Sequence, residues 1–249
     1  MGNETDTIPK KWKGVNIVLP RGKAKDMIIT IDGPAGAGKS TVAKLLAMSL
    51  GYDYLDTGAI YRSIALLGLQ HKVNWEGPGG AEQLVELARS AKIEVNNGRT
   101  FLNDVDVSDA VRSLLVTEAT KYAADNPEIR QILVPIQQAI AAKVVAVGGG
   151  IVTEGRDQGS AVFPNADKKI FLTASPEERA KRRLKELQSR DQSVDLQAIL
   201  EQINARDARD RARTVGPLTE PKDAFVCNTD GMGVLQVVDL LVEHVKNET

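Results

Sequence analysis

Residues Gly33-Pro34-Ala35-Gly36-Ala37-Gly38-Lys39-Ser40-Thr41 spell G-x-x-x-x-G-K-S-T, a spacing that cradles phosphates. The glycines let the backbone turn with its N–H groups inward, and the N-terminus of a following helix adds more of them. Lys39 would reach the β- and γ-phosphates, and the Ser40 hydroxyl would sit on Mg²⁺. Both flanks suit the motif. A β-branched run, Ile28–Ile31, predicts a strand before it, and residues 39–50 predict an amphipathic helix after it. The pattern therefore implies a nucleoside triphosphate site.

Three further clusters carry arginine: 56–62 (DTGAIYR) and 154–160 (EGRDQGS) with one each, and 206–213 (RDARDRAR) with four. A phosphoryl group in transfer spreads charge over its equatorial oxygens, so its catalysis is mostly positioning and cationic stabilisation. Arginine suits that task through its planar fork of donors, its permanent charge and its bidentate fit to phosphate. Arg206, Arg209 and Arg213 recur at helical spacing and share a face, with Asp210 within a turn of Arg206 and Arg213. Such a run also reads as a solvated helix laced with ion pairs. The residue types alone leave both readings open.

Composition narrows the classes. The chain has 249 residues, enough for one α/β domain with an elaboration or for two small domains. Hydrophobic residues make up 42% of it, ample for a core, and the net charge of −1 gives no basic field for nucleic acid or an acidic membrane. Within 179–213, ten Lys/Arg meet six Asp/Glu, too mixed for a stripe along a phosphate backbone. The single cysteine, Cys227, excludes an internal disulfide and fits a reducing cytoplasm. No apolar run approaches the ~18 residues of a membrane span. Residues 1–26 lack the apolar centre of a signal peptide, and Glu4 and Asp6 fit a transit peptide poorly. His71 and His244 lack companions at metal spacing, which speaks against zinc. A guanine-reading Asn-Lys-x-Asp motif is missing, and Asn228-Thr229-Asp230 does not replace it.

The elements that must position these residues alternate between strand and helix, which predicts a parallel sheet with helices on both faces. Residues 1–26 read as a loose extension. After strand 27–32 and helix 39–50, Tyr52–Leu55 leads into a helix that runs to about Leu69, and residues 71–80 form a loop. Ala81–Ala91 is helical; Ile93–Val95 and Thr100–Leu102 form a small ribbon about the turn Asn96-Asn97-Gly98. Helices follow over Val107–Ala124 and Glu128–Lys143. Val144–Val147 and Lys169–Leu172 read as buried core strands. Ser175 caps a helix from Pro176 to about Leu187, Leu196–Arg213 resumes, Ala224–Cys227 is a last strand, and Gly233–Val245 closes the chain. Residues 27–72 and 144–249 thus form a core, with 73–143 inserted as a lobe.

In order along residues 27–243, GPAGAGKST, YLDTGAIYR, LNDVDVSDAVR, NPEIRQIL, EGRDQGSAVFPNADKKIFLTASPEERAKRR and RDARDRARTVGPLTEPKDAF resemble the bacterial cytidylate kinases. The resemblance implies a P-loop kinase core that holds ATP, an inserted lobe that holds CMP or dCMP, and a short helical lid at about 178–195. It implies Mg²⁺ with ATP as donor, and a monomer. Arg179, Arg182 and Arg183 of the lid would close over the ATP phosphates. Arg62, Arg156, Arg206 and Arg213 match arginines around the CMP phosphate and the transferred group, with Lys39 the catalytic partner on the donor side. Asp157 and Arg130 match positions that hold cytosine, Asp210 one that holds the ribose, and Thr57 one beside the substrate. Cytosine's exocyclic amine is a donor, so Asp157 can accept from it, whereas uracil offers a carbonyl there and loses the partner.

The chain departs from that pattern at Lys121, where a serine helps read the base; either Thr120 substitutes or selectivity is looser. Gln158, Ser160, Asn228 and Gln138 also differ from the usual residues. Val-Val-Ala-Val-Gly-Gly-Gly-Ile-Val at 144–152 resembles the triple-glycine segment of shikimate kinase, a short match that leaves 154–221 unexplained and reads better as a strand-end turn between 147 and 151. The alternatives are therefore a P-loop kinase with a UMP or shikimate-like acceptor, or a binding module that transfers nothing.

Overall fold

Ile28–Asp32 forms strand β1, the centre of a five-stranded sheet. On one side lie β6 (Ile151–Glu154) and then β2 (Asp53–Asp56); on the other lie β7 (Lys168–Thr173) and then β8 (Phe225–Asn228). Every neighbouring pair is parallel. The structure is a computed structural model and describes residues 26–96, 98–188 and 194–247. The expected extension up to residue 25, Asn97 of the ribbon turn and residues 189–193 of the expected lid lie outside the described residues.

Alternation along β1 sends Ile29 and Ile31 to one face, where α1 (Lys39–Leu50) and α8 (Val234–Asn247) bury Val42, Leu46, Val238 and Leu241 against them. The opposite face carries α2 (Thr57–Gln70) and α5 (Pro127–Ala146), with Ile60, Ile64, Ile129 and Leu133 packed on Leu55 and Ile151. Each such side chain contributes ~1.5–3 kcal/mol on burial. Between α2 and α5 come α3 (Gly80–Ser90), an antiparallel sheet of β3 (Ile93–Asn96), β4 (Arg99–Leu102) and β5 (Val105–Asp106), and α4 (Leu114–Ala124). Their Leu84, Ile93, Leu102 and Ala123 belong to the same apolar cluster as Leu55, Ile60 and Ile64, so no separate core divides them from the main sheet. α6 (Pro176–Gln188) and α7 (Leu196–Ala212) pair through Ala180, Ile199 and Ile203.

Three expectations are corrected. Val144–Val147 is no strand: residues 144–146 end α5, and Val147 is 85% exposed. Gly148, at φ 80°, and Gly149 donate back to the carbonyls of Val145 and Val144, which stops the helix. The core strand begins at Ile151, so the triple glycine precedes a strand instead of ending one. A short apolar run looks alike in both settings. The helix expected from Val107 starts at Leu114, where the Ser113 side chain accepts from the Val116 N–H; only a 3₁₀ turn, Ala110–Arg112, precedes it. Buried Val107 and Val111 give the earlier stretch its helical look. The ribbon gains β5, turned by Asn103 and Asp104 at φ 50° and 66°, too short a strand to show a period.

Gly33 leaves β1 at φ 147°, and a Cβ there would overlap the Leu172 carbonyl oxygen. Gly33→Ala is expected to cost at least about 2 kcal/mol, read as a melting temperature lower by roughly 4–8 °C.

Candidate active site

The C-terminal ends of β1 and β6 lie side by side, with Ile31 paired to Glu154. From the first springs the loop 33–38; from the second comes Gly155-Arg156-Asp157. The loop turns into α1 through Gly38, whose left-handed φ of 90° leaves the helix's first N–H groups without a side-chain cap. Such bare N–H groups form an anion site.

Lys39 is buried and donates to the Pro34 carbonyl at 2.8 Å. Burial, and then the Arg156 charge, lower its ammonium pKa from the ordinary range to about 7, against the pull of Glu154. Ser40 donates to Glu154 Oε1 at 2.5 Å. Glu154 is itself buried, and burial followed by the Asp56 charge raises its carboxyl above the usual range. Thr57 donates to the Glu154 carbonyl at 2.7 Å. Asp56 caps α2 by accepting from the Ala59 N–H and also accepts from Arg62 at 2.7 Å.

Across the cleft, Asp210 accepts from Arg156 Nε at 2.8 Å and from Arg213 Nη2 at 2.6 Å. Burial opposes charge on Asp210, but Arg156 and Arg213 outweigh it and hold its carboxyl below the ordinary value. Arg213 also donates to Asp125 at the end of α4, with Arg209 within 3.5 Å of the same carboxylate. Arg206 has no carboxylate at ion-pair distance among the described residues, and its side chain reaches solvent while its head group is crowded by protein. That crowding, and then the Arg156 charge, lower its guanidinium pKa to about 10, so it stays cationic at neutral pH. Arg130 and Asp157 form a buried ion pair, with Arg130 over the Tyr61 ring. Burial raises the Asp157 carboxyl, and Arg130 offsets part of that rise. The backbone of Gly216 closes over this pair, leaving no room for a Cβ.

Most of the expected site thus gathers at one cleft: Lys39, Ser40, Thr57, Arg62, Arg130, Arg156, Asp157, Arg206, Asp210 and Arg213. Of the three lid arginines, Arg179 packs against the phosphate-binding loop itself, and the other two bond away from it. Arg179 is buried and donates to the Ala35 carbonyl and to Asp207. Arg182 donates to the hydroxyl and carbonyl of Thr229, and half-buried Arg183 pairs with Glu186. Exposed Lys121 places its ammonium 4.8 Å from the Tyr122 ring centre, and the Thr120 hydroxyl donates to the Val116 carbonyl. Sequence reasoning missed Asp32, Asp56, Glu154, Asp125 and Asp207, which hold the arginines and loops in place. A signal for two of them was present: Asp32 and Glu154 each end an apolar strand just before a glycine.

A family model described as cytidylate kinase matches residues 29–247. The chain belongs to the cytidylate kinase family. The cytidylate kinase of Rhodopirellula baltica is 44% identical over 220 residues, which cover 88% of this chain and 93% of its own. That of Caldanaerobacter subterraneus subsp. tengcongensis is 42% identical over 221 residues, 89% of this chain and 95% of its own. That of Pelotomaculum thermopropionicum is 44% identical over 220 residues, 87% of this chain and 95% of its own. Among solved structures, a shikimate kinase from Bacteroides thetaiotaomicron aligns at 14% identity over 88% of this chain and 98% of its own, with a TM-score of 0.45.

The lowered pKa of Lys39 makes one expectation measurable. A triphosphate brought against it favours the ammonium and raises its pKa. ATP binding at pH 8 should therefore take up close to one proton, measured by calorimetry in buffers of different ionisation enthalpy. No uptake would mean that Lys39 is already charged in the free enzyme.

Proposed function

We propose that this chain transfers the γ-phosphoryl group of ATP to CMP and dCMP, giving ADP and CDP or dCDP for pyrimidine nucleotide metabolism. The observation that carries the reading is the pairing of β1 with β6, which sets the phosphate-binding loop with Lys39 beside Arg156 and Asp157, in a member of this family. The loop's N–H groups and Lys39 hold the donor phosphates. Arg62, Arg156, Arg206 and Arg213 surround the acceptor phosphate and neutralise charge as the phosphoryl group moves in line. Asp210, already a hydrogen-bond acceptor for two arginines, is assigned to the ribose. Asp157, with Arg130, offers the acceptor oxygen that cytosine's amine requires. The acceptor is already an anionic phosphate, so neither a covalent intermediate nor a strong base is needed.

Mg²⁺ fits the oxygen donors at Ser40 and Glu154, because hard cations of this kind are held by one or two carboxylates together with substrate phosphates. Among the described residues no group of three or more His, Cys, Asp or Glu could hold a metal by itself. Held by Ser40 and Glu154, the cation would supply positive charge to polarise the donor phosphates. The crowding of Glu154 by Asp56, which disfavours charge on Glu154, is what such a cation relieves.

We further assign residues 27–72 and 144–249 to the ATP-holding core, 73–143 to the part that receives the monophosphate, and about 178–195 to a lid. Closure of that lid would bring Arg179, Arg182 and Arg183 toward the ATP phosphates and exclude water, which would otherwise hydrolyse the donor. The reading is of a monomer acting in the cytoplasm on small molecules, with neither nucleic acid nor membrane as partner. Among the described residues, no helix is long and apolar enough to cross a membrane.

The test is ADP release from ATP and Mg²⁺ with CMP, dCMP, UMP, AMP and shikimate offered in parallel. Turnover with CMP and dCMP far above the others supports the reading; turnover with shikimate alone, or with none, rejects it. Lys39→Ala is expected to lower kcat at least about a hundredfold with the fold intact, and near-normal turnover would contradict the role of Lys39. Arg156→Lys keeps the charge and loses the fork. Its kcat/KM should fall by roughly 10–100-fold, the value of one or two charge-assisted hydrogen bonds; an unchanged value would show that Arg156 does not clamp a phosphate.

A further inference from the structure

Asp32 closes β1 immediately before the phosphate-binding loop and has no contact with solvent. Neither of its oxygens meets a cation at ion-pair distance among the described residues. Oδ1 instead accepts from the Gln158 N–H at 2.8 Å and Oδ2 from the Gly159 N–H at 2.7 Å. These N–H groups open the single wide helical turn Gln158–Val162 and have no partner within it. A carboxylate on one strand thus caps a helical turn that follows its neighbour strand. Gly159 makes the approach possible, since a Cβ there would come within 2.8 Å of Thr30 Oγ1 on β1.

Burial of an unpaired carboxylate is costly, and here it pushes the Asp32 carboxyl up to about 7. The two N–H bonds, and more weakly the nearby Lys39, work the other way; the Asp157 charge adds to the rise. A residue kept in so unfavourable a place is held there by what it fastens. What it fastens is the segment directly after Arg156 and Asp157.

We propose that Asp32 is a positioning residue for the phosphoryl acceptor, holding the Arg156–Asp157 turn in register with the phosphate-binding loop. Without this tie the two loops still leave neighbouring strands, but Arg156 and Asp157 lose their fixed distance from Lys39. Displacements of about an ångström weaken transfer sharply. The inference rests on the proposed kinase reading, because it assigns the Arg156–Asp157 turn to the acceptor.

The test is Asp32→Asn, which keeps the shape but turns an N–H donor toward one of the two N–H groups. KM for CMP should rise about tenfold, the effect of losing a hydrogen bond to a charged group, while KM for ATP stays within about twofold. An unchanged KM for CMP, or an equal rise for both substrates, overturns the proposal; so does a lower melting temperature with both KM values intact. Should the variant fail to fold, amide hydrogen exchange on the wild-type enzyme decides. Protection of the Gln158 and Gly159 amides equal to that of β1 supports the tie, and exchange at exposed-loop rates overturns it. Absence of CMP turnover in the wild type would instead sink the kinase reading and leave the exchange measurement to judge the tie by itself.

Discussion

Everything chemical in this molecule hangs from the ends of two adjacent parallel strands. The β1–β6 register, with Thr30 opposite Thr153 and Ile31 opposite Glu154, decides which backbone atoms of the two loops face each other. A slip of one residue would turn every side chain of a strand to the other face and send Ile29 and Ile31 away from α1. The apolar burial that sets the register is thus also what sets Lys39 against Arg156. Packing and chemistry are specified by the same alternation.

The cleft collects more positive charge than its walls neutralise. Asp210 and Asp125 hold Arg156, Arg213 and Arg209, and Asp56 holds Arg62, but Arg206 stands near Arg156 with no carboxylate at ion-pair distance among the described residues. Repulsion of this kind costs stability in the empty protein and is relieved by an anion. The depressed ammonium of Lys39 has the same origin, since burial and Arg156 both act against its charge. On the opposite wall, Glu154 and Asp56 crowd each other near Ser40. The site therefore has a cationic part, around Arg156 and Arg206, and an anionic part, at Glu154 and Asp56.

Much of this was legible in the sequence, for reasons that can be stated. The loop 33–41 is fixed by local backbone demands, and its strand and helix flanks carry clear periods. Arginines at helical spacing on α7 announce a shared face. Less legible were features that depend on distant partners. Nothing local distinguishes Val144–Val147 as a helix end until Gly148 is seen to turn back on it, and the strand that matters starts three residues later. The carboxylates that hold the arginines come from other elements: Asp125 from α4's end meets Arg213 after α7, and Asp207 from α7 meets Arg179 on α6. Arg179 shows the limit most clearly: its charge and position on α6 suggest an arm free to close over phosphates, whereas it is buried against the Ala35 carbonyl and Asp207.

The shared apolar cluster that joins α3, β3 and β4 to α2 and the main sheet bears on how such a chain can change over generations. Leu84, Ile93 and Leu102 rest in the same packed interior as Leu55, Ile60 and Ile151, and close-packed interiors register even a single added methylene. The stretch between α2 and β6 is therefore not a cassette that recombination can exchange freely. A substitution on one side of the seam alters which residues are acceptable on the other, so the two halves of the cleft are bound to diverge together.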